Sequence, residues 1–145
     1  MTAYNNKYVL ADSGYWIAVF EPSDTHITEA TILQDDLEDA NILLPWPVMY
    51  EVLNTRFFRR PDRIEKFEEL LKKPNVYRIP EEQYRDQALK KVFEYSKRKR
   101  NISLVDGIIR EMLSDVNLRI NYFVTFNVWD FLDIIKKRPI ELLPD

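Results

Sequence analysis

The sequence predicts an α/β domain in which helices cover both faces of a parallel sheet. Three features carry that expectation: short apolar runs alternate with longer amphipathic segments, the first run shows no polar alternation, and eight prolines mark the seams between segments. A strand covered on both faces reads as a continuous apolar run, and strands that alternate with helical patterns imply parallel pairing through helical crossovers.

Tyr8 to Ala11 is the first strand, and Ser13 to Phe20 reads as a short helix. A second helix opens at Ser23 or Asp24 and carries Ile27, Ala30, Leu33, Leu37 and Ala40 at roughly helical spacing. Ile42 to Leu44 is a short second strand, and Pro47 suits the first turn of a third helix running to about Arg59. Pro61 starts a fourth, with Ile64, Phe67, Leu70 and Leu71 on one face; Val76 to Ile79 is the third strand. Glu81 and Glu82 favour the positive end of a long helix striped by Tyr84, Ala88, Val92 and Phe93. Ser103 begins an apolar helix to about Leu113, Tyr122 to Phe126 is the fourth strand, Val128 to Lys136 a short helix, and Ile140 to Leu143 the last strand.

The 145 residues suit a single domain over 1–145, and 46% hydrophobic content is globular rather than disordered. No cysteine occurs, which excludes disulfides, thiolate metal sites and cysteine nucleophiles. Only two glycines leave no room for a Gly-rich phosphate loop. His26 is the only histidine and sits near a helix start, so it reads as a surface residue and offers no serine triad or zinc site. No signal peptide or membrane-length apolar run is legible, so the expectation is a cytoplasmic chain with no membrane partner. A net charge of −3 argues against nucleic-acid binding by bulk charge. Two local runs are nevertheless basic: Arg56, Arg59 and Arg60 in RFFRRPDR, and Lys97, Arg98, Lys99 and Arg100 in KRKR. Such runs serve either as solvated helix faces or as guides for an RNA backbone.

Four acids stand in locally apolar settings near strand–helix seams. Asp12 closes the first strand, Glu51 lies in PWPVMYEVLNT, Asp106 in SLVDGIIREML and Asp130 in TFNVWDF. Ligands of open parallel sheets collect at the carboxyl ends of the strands near the topological switch point. If strands one and four are neighbours, Asp12 and Asp130 meet there, with Glu51 and Asp106 reaching in from helices. Carboxylates gathered without a cation repel one another, and an all-oxygen donor set suits Mg²⁺ or Mn²⁺. That chemistry is phosphodiester hydrolysis.

Each acid also has a purely structural reading. Asp12 or Ser13 can cap the first helix, Ser103 and Asp106 have capping-box spacing, Asp106 can pair with Arg110, Glu51 can be solvated, and Asp130 can be a first-turn acid. Gly14 and Gly107 would ease close packing of helix starts around a site, or be merely tolerated. Trp16, Phe57 and Phe58 suit core packing or a dimer or partner surface.

The order strand–Asp, helix–Glu, helix–Asp, strand–Asp resembles the PIN domain, in particular the VapC-type ribonuclease toxins. The motifs ADSGYWIA, VMYEVLN, SLVDGIIRE and TFNVWDF follow the family's order over nearly the whole chain. The resemblance implies a three-layer α/β/α fold with a five-stranded parallel sheet. It implies a Mg²⁺- or Mn²⁺-dependent endoribonuclease acting on single-stranded RNA, a homodimer, and an antitoxin partner. Asp12, Glu51 and Asp106 match the family's acids; Asp130 would be the fourth, with Ser13, Thr125 and Asn127 in support. Other members carry an acid where Asn127 stands. The competing readings are a PIN-like interaction module without catalysis and a nuclease for structured RNA or DNA outside a toxin–antitoxin pair.

Overall fold

The structure is a computed structural model that describes residues 3–55 and 59–144. Five strands form one sheet in the order β3-β2-β1-β4-β5, every pair parallel. They are β1 (Tyr8–Ala11), β2 (Asn41–Pro45), β3 (Val76–Ile79), β4 (Tyr122–Val124) and β5 (Glu141–Leu143). Helices flank the sheet in a three-layer α/β/α arrangement: α1 (Ser13–Phe20), α2 (Ile27–Asp36), α3 (Trp46–Leu53), α4 (Pro61–Leu71), α5 (Glu82–Lys97), α6 (Leu104–Ser114) and α7 (Leu132–Ile135).

The strand order has one topological switch, between β1 and β4, where Leu10 faces Leu43 on one side and Phe123 on the other. The central position of β1 explains its unbroken apolar run. Val9, Leu10 and Ala11 are at most 1% exposed, and burying each of the larger two is worth about 1.5–3 kcal/mol. They join one connected core with Leu44 and Val48 from the β2–α3 unit, Ile109, Met112 and Leu113 from α6, and Phe123 and Phe131.

Helix α6 shows how the sequence folds locally. Ser103 is its N-cap, and its hydroxyl accepts from the Asp106 amide at 3.1 Å, one arm of the expected capping box. Ile108, Ile109, Met112 and Leu113 bury one face. Gly107 lets α6 approach α5, because a Cβ there would stand 3.0 Å from Val92 Cγ2. The close packing expected of Gly107 is therefore against α5 and not around the acids. A Cβ on Gly14 would meet nothing nearer than Asp12 Oδ1 at 3.5 Å, ordinary contact, so that glycine is tolerated rather than required.

Several boundaries differ from the sequence reading. The second helix ends at Asp36, and Ala40 lies in the turn before β2, its amide donating to the Leu37 carbonyl. Helix α3 ends at Leu53 instead of near Arg59, where Asn54 turns back onto the Glu51 and Val52 carbonyls. The helix expected over Val128 to Lys136 is split into a 3-10 turn, Val128–Asp130, and the short α7. At the break, Phe131 swings into the core and is 1% exposed, edge-on to Phe123 at 4.9 Å.

Candidate active site

The carboxyl ends of β1 and β4 bring Asp12 and Thr125 together, as the switch point requires. The Asp12 amide donates to the Val124 carbonyl at 3.1 Å, continuing the β1–β4 ladder by one residue. The Thr125 hydroxyl donates to Asp12 Oδ2 at 2.5 Å, and the Tyr15 amide to Asp12 Oδ1 at 3.3 Å. Asp12 is thus the N-cap of α1 as well as the acid at the strand end. Ser13 does not serve the helix start: its hydroxyl donates to Glu51 Oε1 at 2.7 Å and ties α3 to the β1–α1 corner.

From Thr125 the network continues to the fourth acid. The Asn127 amide donates to Thr125 Oγ1 at 3.0 Å, and the Asn127 side-chain amide to Asp130 Oδ2 at 2.5 Å. Asp12, Thr125, Asn127 and Asp130 therefore form one hydrogen-bonded chain. Asp106 stands in the first turn of α6, within electrostatic reach of the other three acids. Burial, and then the charges of Asp12, Glu51 and Asp130, push its carboxyl up to about 6. Burial is also the chief cause that raises Asp12; Glu51 adds to it, while the bonds from Thr125 and Tyr15 oppose it.

No lysine or arginine among the described residues forms an ion pair with any of these four carboxylates. Arg110 does not pair with Asp106 as its spacing allowed; it grips Asp133 instead, at 2.8 Å. An all-oxygen acidic cluster lacking a cation has the donor chemistry of a Mg²⁺ or Mn²⁺ site. As the side chains stand, no three of the described His, Cys, Asp or Glu groups are arranged to hold one ion, so binding would require them to close by rotation.

The basic runs have mixed fates. Arg56 lies outside the described residues, as do Phe57 and Phe58. Arg59 and Arg60 are exposed ahead of α4, and Lys97, Arg98 and Lys99 are exposed at the end of α5. Arg100 is engaged: it donates to the Asp130 carbonyl and to Asp133, each at 3.3 Å. Trp16 is buried in the core, and His26 stacks with centroids 4.2 Å apart on Phe126, the residue between Thr125 and Asn127. A cavity of about 220 Å³ lined by Tyr15, Trp16, Asp35, Ile42 and Val76, near the starts of β2 and β3, contains none of the four acids.

Sequence reasoning missed Asp133 and Tyr95 as neighbours of the site, and it offered Arg110 a partner in Asp106 in place of Asp133. The signal was present: an arginine among Ile108, Ile109, Met112 and Leu113 must be buried and must find partners.

The architecture is shared with solved structures. VapC20 of Mycobacterium tuberculosis, described as cleaving the sarcin–ricin loop, superposes with a TM-score of 0.65 at 14% identity, over 79% of this chain and 86% of that one. The chain has the PIN-domain fold. VapBC2 of Rickettsia felis, solved on a DNA fragment from its promoter, matches this PIN fold with a TM-score of 0.59 at 14% identity, over 93% and 96% of the two chains. No family model and no curated protein matches the sequence.

Proposed function

We propose that the chain is a single PIN-like domain acting as a divalent-metal-dependent endoribonuclease on single-stranded RNA. What supports the reading is the hydrogen-bonded chain from Asp12 through Thr125 and Asn127 to Asp130 beside the β1–β4 switch, with Glu51 held by Ser13, Asp106 raised by the charges of the other three, and no lysine or arginine among the described residues paired with any of them. Asp12, Glu51 and Asp106 would hold Mg²⁺ or Mn²⁺, with Asp130 completing the donor set. The ion, when bound, neutralises phosphoryl charge and eases deprotonation of the attacking water. The protein groups have distinct tasks. Thr125 orients Asp12 through its short hydrogen bond, Ser13 orients Glu51, and Asn127 orients Asp130. The exposed Lys97, Arg98 and Lys99, with Arg59 and Arg60, offer phosphate contacts that counter the repulsion between an acidic site and RNA.

The toxin role, with a homodimer and an antitoxin partner, rests on the fold shared with VapC20 and VapBC2. Side chains that do not yet close around an ion are the one observation favouring a non-catalytic module. Incubating the purified protein with Mn²⁺ and single-stranded RNA, beside structured RNA and DNA, separates the readings. Cleavage of single-stranded RNA that is lost in Asp12→Asn supports the proposal. Preference for structured RNA or DNA would reassign the substrate, and inert protein would favour the module.

A further inference from the structure

Arg110 is 2% exposed, in the middle of the apolar face of α6. Its Nη1 donates to the Asp130 carbonyl at 2.7 Å and to Asp133 Oδ1 at 2.8 Å, and its Nη2 to Asp133 Oδ2 at 2.8 Å and to the Tyr95 hydroxyl at 3.1 Å. The guanidinium carbon also lies 5.0 Å from the centre of the Tyr95 ring. Burying a guanidinium is costly, and its Nε has no hydrogen-bond partner. An apolar side chain of similar length would fill the same core space without that cost. What such a side chain would lack is the fork that bridges the break between the 3-10 turn and α7, at the carbonyl of Asp130 and the carboxylate of Asp133.

Helix α6 thus bears on two acids at once. Asp106 projects from its first turn, and Arg110, one turn later, holds the backbone from which Asp130 projects. Arg100 reinforces the hold from the end of α5, reaching the same carbonyl and the same carboxylate. The Asn127 bond fixes the Asp130 side chain, while the arginines fix its main chain.

On the metal-nuclease reading, we infer that Arg110 is a positioning residue that sets the separation between Asp106 and Asp130. Its loss would loosen the fourth acid without touching RNA. Partners that orient metal ligands change metal affinity by roughly 10–100-fold when removed.

The test uses the full chain and the variant Arg110→Met. Asp133 is 48% exposed and keeps Arg100, so the substitution strands no buried charge. At a temperature where circular dichroism shows the variant fully folded, Mn²⁺ affinity by calorimetry is expected to fall at least tenfold. The kcat for RNA cleavage should fall with it while KM is unchanged. Amide exchange should rise over residues 128–133 and stay at the parent level in β1 and β4. If Arg110→Met does not fold, Arg110→Lys, which keeps the charge but not the fork, is measured in the same way and should show the same direction of change. A folded variant of either kind with Mn²⁺ affinity and kcat within twofold of the parent overturns the inference. A parent that neither binds Mn²⁺ nor cleaves RNA is a different result: it removes the nuclease reading, and this inference with it.

Discussion

Replacing Asp106 by Asn should stabilise the metal-free protein at neutral pH and do so less and less as the pH falls. The Asp106 carboxyl sits at about 6, raised first by burial and then by Asp12, Glu51 and Asp130. In the unfolded chain an aspartate titrates near its ordinary value of about 3.9. Between those values the folded state retains a proton that the unfolded state releases, so folding stability declines as pH rises through about 4 to 6. The displacement corresponds to at most about 3 kcal/mol, and solvent screening at this half-buried position reduces it to roughly 1–2 kcal/mol. In urea titrations with chelator at neutral pH, Asp106→Asn should therefore exceed the parent by roughly 1–2 kcal/mol, with the two converging near pH 4. Adding Mn²⁺ should reverse the order at neutral pH, because a ligand that binds only the folded state stabilises the better binder. A difference that does not vary with pH, or a chelated variant no more stable than the parent, would refute the upward shift of the Asp106 carboxyl that burial and the neighbouring acids produce.

Two further substitutions probe the supports around the site. Thr125→Val removes the hydroxyl that donates to the buried Asp12; stability measured at neutral pH should drop by about 1–3 kcal/mol, and an unchanged denaturation midpoint would show that the hydrogen bond is dispensable. Gly107→Val drives a branched side chain into Val92 at the α5–α6 contact and should cost about 1–3 kcal/mol of stability, read from the urea midpoint; a neutral outcome would mean that the two helices separate freely.

Much of the site was legible because it depends on where strands end. An apolar run closed by Asp12 marks the carboxyl end of a strand, and the condition set for Asp12 and Asp130 to approach, that β1 and β4 be neighbours, is met in the sheet order. Elements delimited by proline were read closely, as with α4 opening at Pro61, whereas α2, expected to open at a Ser23 or Asp24 cap, opens at Ile27. Elements ended by tertiary contacts were not read closely. The last helix breaks because Phe131 turns inward and because Arg110 and Arg100 take the Asp130 carbonyl, and none of these contacts has a local signature. The division of labour at Asp12-Ser13 was likewise hidden, since either residue can cap a helix. Only the position of Glu51, 38 residues away, shows that Ser13 serves the neighbouring acid while Asp12 caps α1.

Calorimetric titration of Mn²⁺ into the parent and into Asp12→Asn tests the central claim most directly. The account predicts saturable binding by the parent that is abolished by the substitution, with the variant still folded by circular dichroism. Equal binding by the two proteins, or none by the parent even with RNA present, would contradict a metal site anchored at the end of β1.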